Sequence, residues 1–100
     1  MTLTRVWRYD VRPGSEAEFE AVYGANGAWA QLFRAGDGYL GTELFRSLGV
    51  PGRYLTTDRF VGLADWQDFL AEHRAAYEQL DQQCAVLTVA QLELASVEDF

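Results

Sequence analysis

The chain has 100 residues, enough for one domain, and its hydrophobic content of 49% is sufficient for a folded core. Its formal net charge of −7 disfavours nucleic acids and anionic membranes as partners, because both bind surfaces with clustered positive charge. One cysteine and one histidine exclude an internal disulfide and a metal site built from several Cys or His side chains of one chain. No stretch has the length of a membrane span and the N-terminus does not resemble a signal peptide, so we expect a cytoplasmic protein.

The first part of the sequence predicts one strand followed by two short helices. β-branched and aromatic residues over 4–11 are typical of a strand. Ser15, with Glu18 three residues later, predicts a capping box at the start of a helix. The sequence "GANG" at 24–27 interrupts the helical pattern, and Asn26 is expected to cap the second helical piece.

The rest of the chain predicts two strands, a long helix and a last strand. The strands cover residues 38–48, 53–61 and 86–97, and the amphipathic helix includes residues 65–80. The resulting order, β-α-β-β-α-β with the first helix in two pieces, is that of a ferredoxin-like split βαβ fold of the α+β class. We expect a single domain over residues 1–100, with a four-stranded antiparallel sheet covered by helices on one face.

The predicted strands carry apolar side chains on both faces. In the second strand Leu40, Leu44 and Leu48 are expected to share one face, with Tyr39 and Phe45 on the other. Helices can cover only one side of the sheet, and large uncovered apolar patches mark interfaces. We therefore predict a homodimer in which two copies pack through their sheet faces.

His73, the only histidine, lies near the centre of the apolar stripe of the long helix, between Trp66 and Tyr77. It is either a half-buried ring bonded to a carbonyl or to an acid such as Asp58, or a general base facing a pocket between helix and sheet. Trp66 and Tyr77 are either core residues or a stacking wall for a flat aromatic ligand.

Other candidate site residues lie on the third strand and around the first two helices. Asp58 and Arg59 are consecutive strand residues, so their side chains point to opposite faces of the sheet. The one on the helix-facing side is expected to line the cavity. Arg59 in the cavity could stabilise an enolate or phenolate anion, and a salt bridge is the alternative. Asn26 is either a helix cap or an amide aimed at a ligand oxygen. Trp29 and Tyr23 either roof the cavity or fill the core.

The segments "YGANGAWAQLFR", "GYLGTELFR", "RYLTTDRF" and "WQDFLAEHRAAY" resemble the antibiotic biosynthesis monooxygenase superfamily of dimeric α/β barrels. The resemblance implies a dimeric barrel with one pocket per subunit. Some members oxidise polycyclic phenols to quinones with oxygen and no cofactor, and they place Asn, Trp, Tyr and Arg side chains around the ligand. Residues of those types in this chain are Asn26, Trp29, Trp66, Tyr77 and Arg59.

Three functions are consistent with this resemblance. The first is cofactor-independent oxygenation of an electron-rich aromatic small molecule, with His73 as base, Arg59 as anion stabiliser and aromatic walls around the substrate. The second is haem binding or haem opening with His73 as axial ligand. Trp66 and His73 match that haem branch in type, but the first strand has no Asn and their spacing of seven is short. The third is a non-catalytic dimer that binds a small molecule.

Overall fold

The computed structural model describes all residues from 1 to 100. Its elements, in chain order, are β1 (Leu3–Val11), α1 (Glu16–Tyr23), α2 (Ala28–Phe33), β2 (Tyr39–Arg46), β3 (Arg53–Phe60), α3 (Leu63–Cys84) and β4 (Thr88–Glu98). The four strands form one antiparallel sheet in the order β2-β3-β1-β4. This architecture confirms the predicted ferredoxin-like α+β fold. No helix, including α3 with its 22 residues, is both long and apolar enough to cross a membrane.

The core lies between the sheet and the helices. Strand alternation puts every second residue of β1 and β3 on the helix-facing side, where Leu3, Val11, Tyr54 and Phe60 are buried. The helices contribute further aromatic side chains to this layer. The largest fully buried side chains are Phe19, Phe60 and Phe69. Burial of one such phenylalanine contributes about 1.5–3 kcal/mol, so the aromatic layer is a main source of stability.

The break between α1 and α2 is a close approach of two backbone segments. A Cβ on Gly27 would clash with the carbonyl oxygens of Val22 and Ala21, the latter at 2.5 Å. Only glycine allows α2 to begin so close to the last turn of α1. Gly27 itself is the N-terminal cap residue of α2, with no side-chain cap, so the prediction that Asn26 caps this helix is wrong.

The predicted capping box at α1 is also wrong. Ser15 is the cap residue, but its backbone is not extended and its side chain makes no capping hydrogen bond. The Gly14 amide instead donates to Glu16 Oε1 at 2.7 Å. The first acidic residue of the helix therefore accepts a hydrogen bond from the preceding turn, whereas the Ser15 side chain caps no amide of the helix.

A bulge near the start of β2 changes which side chains face the helices. Tyr39 pairs with Phe60 and Gly41 pairs with Arg59, so Leu40 is an extra residue opposite no partner. Tyr39 consequently packs against the core, whereas Leu40 is half exposed. Leu44 also packs against the core. The prediction that Leu40 and Leu44 share a face opposite Tyr39 is therefore wrong.

The sheet face that points away from the helices is uncovered and largely apolar. The register of β1 with its neighbours places Val6, Leu55 and Leu92 on this side, and the pairing of β2 with β3 adds Phe45. Phe45 and Leu92 are each about half exposed. Strand β4 lies at the sheet edge, and nearly all of its residues are exposed. The chain thus leaves one broad apolar surface uncovered.

Candidate functional site

A recess lined by charged, polar and aromatic side chains lies between the helix-facing side of the sheet and helices α2 and α3. It is lined by Arg5, Trp7, Tyr9, Tyr23, Trp29, Phe33, Thr42, Thr56, Asp58, Tyr77, Asp81 and Gln91. The recess with its open mouth measures about 440 Å³, but the free space inside is only about 30 Å³. That interior admits one or two water molecules. A larger ligand therefore requires lining side chains to move.

A buried cation and a buried acid line this pocket. Arg5 on β1 and Asp58 on β3 are directly opposite each other in the strand register, and both are buried. They nevertheless form no ion pair with each other. The Arg5 guanidinium lies 3.9 Å from the ring centre of Trp66, and its Nη2 is 3.3 Å from Glu93 Oε2. Arg5 and Asp58 are thus neighbours of opposite charge, but the Arg5 guanidinium makes its close contacts with Trp66 and Glu93.

Asp58 has an environment suited to accepting a proton. Burial raises the pKa of its carboxyl group, and this effect outweighs the Thr42 hydroxyl bond and the positive charge of Arg5, which both act to lower it. The Thr42 hydroxyl donates to Asp58 Oδ1 at 2.7 Å. A carboxylate with a raised pKa is a stronger base than an exposed aspartate, which is the property that general base catalysis requires.

Apart from Asp81 at its mouth, the remaining polar groups of the pocket are neutral. Burial raises the pKa of the Tyr9 and Tyr23 hydroxyls well above the usual tyrosine range, and it also raises the pKa of Tyr77. All three are therefore protonated phenols near neutral pH. Trp29 Nε1 and Thr56 Oγ1 are buried without a hydrogen-bond partner. Buried polar atoms are usually paired, so these two are available to a ligand or a water molecule.

The structure brings four of the sequence-predicted site residues together. Tyr77, Trp29 and Tyr23 line the pocket. Trp66 is buried behind it and supports the Arg5 guanidinium with its ring. The Trp29 and Tyr77 rings meet edge to face with centroids 5.0 Å apart. These residues form a continuous aromatic wall.

The other three predicted site residues lie outside the pocket lining. His73 packs against Phe69, with ring centroids 5.3 Å apart, and its Nε2 is 3.8 Å from the Glu72 carboxylate. The backbone of α3 is kinked at His73, so uniform helical spacing does not describe the direction of its side chain. Arg59 is exposed on the opposite sheet face, because Asp58 faces the helices. Asn26 is exposed and accepts a hydrogen bond from Arg34 Nη2 through Oδ1 at 2.8 Å.

Sequence reasoning did not single out Arg5 or Thr42 as pocket residues. A signal for Arg5 exists, because strand alternation puts it on the same face as Trp7 and Tyr9. For Thr42 no local signal exists, since its place opposite Asp58 follows from the pairing of β2 with β3. Pocket residues that depend on strand pairing are not visible in a local pattern.

The fold and the pocket define a ferredoxin-like α+β domain with a small aromatic cavity between sheet and helices. The family model described as antibiotic biosynthesis monooxygenase matches residues 2–81, and the chain belongs to this family. This membership confirms the family resemblance of the sequence segments. No match was found among the curated proteins.

Solved structures share the fold at low sequence identity. The chain is similar to SnoaB from Streptomyces nogalater, described as a cofactor-independent oxygenase. For a point mutant of SnoaB the TM-score is 0.78 at 19% identity, covering 98% of this chain and 92% of that one. For a Bordetella bronchiseptica protein named for the same monooxygenase family, the TM-score is 0.74 at 21% identity, covering 99% and 97%. For PA3566 from Pseudomonas aeruginosa, the TM-score is 0.69 at 16% identity, covering 99% and 94%.

Proposed function

We propose that this protein is a cofactor-independent monooxygenase that acts on a small electron-rich aromatic molecule in the pocket between sheet and helices. The observation that carries the proposal is the placement of Arg5 and Asp58, which lie at opposed strand positions within an aromatic cavity and form no ion pair with each other. Family membership and the printed description of SnoaB as a cofactor-independent oxygenase support it. Under this proposal Asp58 takes the role of base and Arg5 the role of anion stabiliser.

The chemistry needs a base, a stabilised anion and molecular oxygen. Asp58 removes a proton from a phenol or from an activated CH₂ group of the substrate and becomes a neutral carboxylic acid. The substrate anion, stabilised by Arg5, transfers one electron to oxygen, and the radical pair joins in a new C–O bond. The peroxide anion takes the proton back from Asp58 to give a hydroperoxide, and loss of water from the hydroperoxide converts CH₂ to C=O. One oxygen atom is retained in the product and the other leaves as water.

The charges at the mouth favour a substrate that enters without charge. Asp81 lines the pocket, the Glu93 carboxylate is half exposed beside Arg5, and the chain carries a net charge of −7. An anion approaching from solvent is repelled, whereas an anion formed inside meets the Arg5 guanidinium. A neutral phenol or ketone that becomes charged only after it loses a proton to Asp58 fits both conditions.

We further propose that two copies pack through their uncovered sheet faces to form a homodimer. The support is the broad apolar surface that includes Phe45 and Leu92, because monomeric proteins rarely leave such a face in water. The charged side chains on this surface include the Asp10–Arg53 pair, whose mutual neutralisation lowers the cost of covering it.

One alternative function is favoured by a specific observation. The free space of about 30 Å³ inside the pocket favours a non-catalytic dimer whose cavity is filled by its own side chains. No specific observation favours the haem alternative. His73, its expected axial ligand, lies outside the pocket lining. We therefore propose no haem ligand here.

Oxygen uptake with a panel of anthrones and hydroquinones separates the enzyme from the non-catalytic binder. We expect turnover by the wild-type protein and a loss of about 10²–10³-fold in kcat for Arg5→Met, the size of effect seen when one anion-stabilising group is removed. Arg59→Met is the matched control, because it removes an arginine from the other sheet face. If no compound in the panel is consumed, or if both variants lose activity equally, the proposed role of this pocket is wrong.

A further inference from the structure

A short chain of hydroxyl groups leads from Asp58 in the pocket to Tyr39, which lies outside the pocket lining. Thr42 Oγ1 donates to Asp58 Oδ1 at 2.7 Å, and it lies 2.6 Å from Tyr39 Oη. Because the Thr42 proton is used on Asp58, the Tyr39 hydroxyl is the donor in the second hydrogen bond. Tyr39 is only half-buried, with its ring 5.4 Å from that of Phe60. The chain thus links a buried acid to a half-buried phenol.

The bulge in β2 is what makes this chain of hydroxyls geometrically feasible. On a regular strand, residues 39 and 42 point to opposite faces, because side chains alternate. The extra residue Leu40 restores Tyr39 to the helix-facing side, opposite Phe60, while Thr42 lies opposite Asp58. Gly41 follows with a φ of +153°, a conformation that other residues rarely adopt. This backbone irregularity therefore brings Tyr39 to Thr42.

We propose that Tyr39 is a positioning residue that acts on Asp58 through Thr42, so that the two hydroxyls fix the carboxylate in the pocket and keep it ionised. The catalytic meaning of this inference rests on the proposed function, since it concerns the base of that reaction. Hydrogen bonds in series polarise one another, so the Tyr39 bond makes the Thr42 hydroxyl a better donor to a negative oxygen. Neither residue needs to touch the substrate.

The other groups around Asp58 do not provide this contact. Those that face it are Arg5 and Tyr9 from β1 and Tyr77 from α3. Further charged groups nearby are Arg34 near Tyr39, Glu93 beside Arg5 and Asp81 near Tyr77. Arg5 is the only cation directly opposite Asp58 in the register, and it is bonded to Glu93 and stacked on Trp66. Burial acts to raise the pKa of Asp58, and the Thr42 hydroxyl bond opposes that effect. The hydroxyl pair is thus the direct support of the ionised form.

Titration of the Asp58 carboxyl carbon by ¹³C NMR tests this in the free protein, without any substrate. The signal is assigned by its loss in Asp58→Asn. We expect the titration midpoint to rise by about one pH unit in Thr42→Val, which removes a hydrogen bond to a charged group. Tyr39→Phe should raise it by a smaller amount. Thr42→Ser keeps the hydroxyl and should restore the wild-type midpoint.

Tyr54→Phe is the matched control, because it removes another partly buried phenol hydroxyl from the same sheet face. Tyr54 bonds to Glu20 and makes no hydrogen bond to Asp58. The inference is overturned if Tyr39→Phe leaves the Asp58 midpoint unchanged, or if Tyr54→Phe moves it equally. Should Thr42→Val fail to fold, Tyr39→Phe and Thr42→Ser still decide the matter.

The outcomes for the inference and for the proposed function are separate. If the midpoint moves as expected but no variant consumes oxygen, the support of Asp58 by Tyr39 stands and the proposed reaction falls. If turnover occurs, the acidic limb of its pH profile should move upwards in Tyr39→Phe together with the NMR midpoint. An unchanged limb would show that Tyr39 does not act on the catalytic base.

Discussion

The electrostatic destabilisation that the pocket causes in the folded state comes mainly from one side chain, Asp58. It is buried at the centre of the sheet, faces a cation with which it forms no ion pair, and has one hydroxyl donor. A carboxyl group whose pKa is raised on folding destabilises the folded state when it is ionised. The folded protein is therefore less stable at neutral pH because this site holds a buried carboxyl group that is able to accept a proton.

This destabilisation predicts that Asp58→Asn stabilises the protein at neutral pH. Because the folded pKa lies above the unfolded value of about 3.9, the wild-type protein loses stability as pH rises from that value through the folded pKa. Asparagine has no charge to bury and still accepts the Thr42 hydroxyl bond. We expect Asp58→Asn to melt at a higher temperature than wild type at pH 7, with the difference vanishing near a pH of about 3.5, where the wild-type carboxyl is protonated.

Asp10→Asn provides the control with the opposite sign. The Arg53 hydrogen bond and charge lower the pKa of Asp10, so its contribution to stability is present above the unfolded pKa and is lost as pH falls. Its removal should lower stability at pH 7 only slightly, because this ion pair is partly exposed and solvent screens it. Equal responses of the two variants to pH would contradict the described environment of Asp58.

Glycines determine where helices and strands can approach each other. Gly27 allows α2 to start against the carbonyl oxygens at the end of α1. We predict that Gly27→Ala lowers the free energy of unfolding by about 1–3 kcal/mol, as for other overpacked sites, measured by urea denaturation. Gly49→Ala is the matched control, because a Cβ there meets nothing within 4 Å. A Gly27→Ala protein as stable as wild type would show that the helices are not so close.

The elements could be predicted from the sequence where their signal is local. Alternation along β1 and β3 and helical spacing in α3 gave the element order, and the aromatic stripe gave Tyr77 as a pocket residue. The bulge at Leu40 could not be found this way, because it exists only in the pairing of β2 with β3. The kink at His73 is likewise a backbone departure that a regular helical projection does not contain.

The uncovered sheet face predicts that the whole molecule associates with itself. We expect light scattering to give the mass of a dimer at micromolar concentration, and Leu92→Glu to shift it to the mass of a monomer, because a charge there must lose its hydration at the interface. Leu63→Glu is the control, since it adds the same charge to an exposed position at the start of α3. A wild-type monomer at this concentration would contradict the proposed dimer.

The proposed function depends above all on Asp58 as the base of an oxygen-consuming reaction. The sharpest test is the kcat for oxygen uptake with an anthrone, compared between wild type, Asp58→Asn and His73→Asn. We predict that Asp58→Asn lowers kcat by about 10²–10⁴-fold, the usual contribution of a general base, while His73→Asn stays near wild type. Full activity in Asp58→Asn, or an equal loss in His73→Asn, would show that Asp58 is not the base.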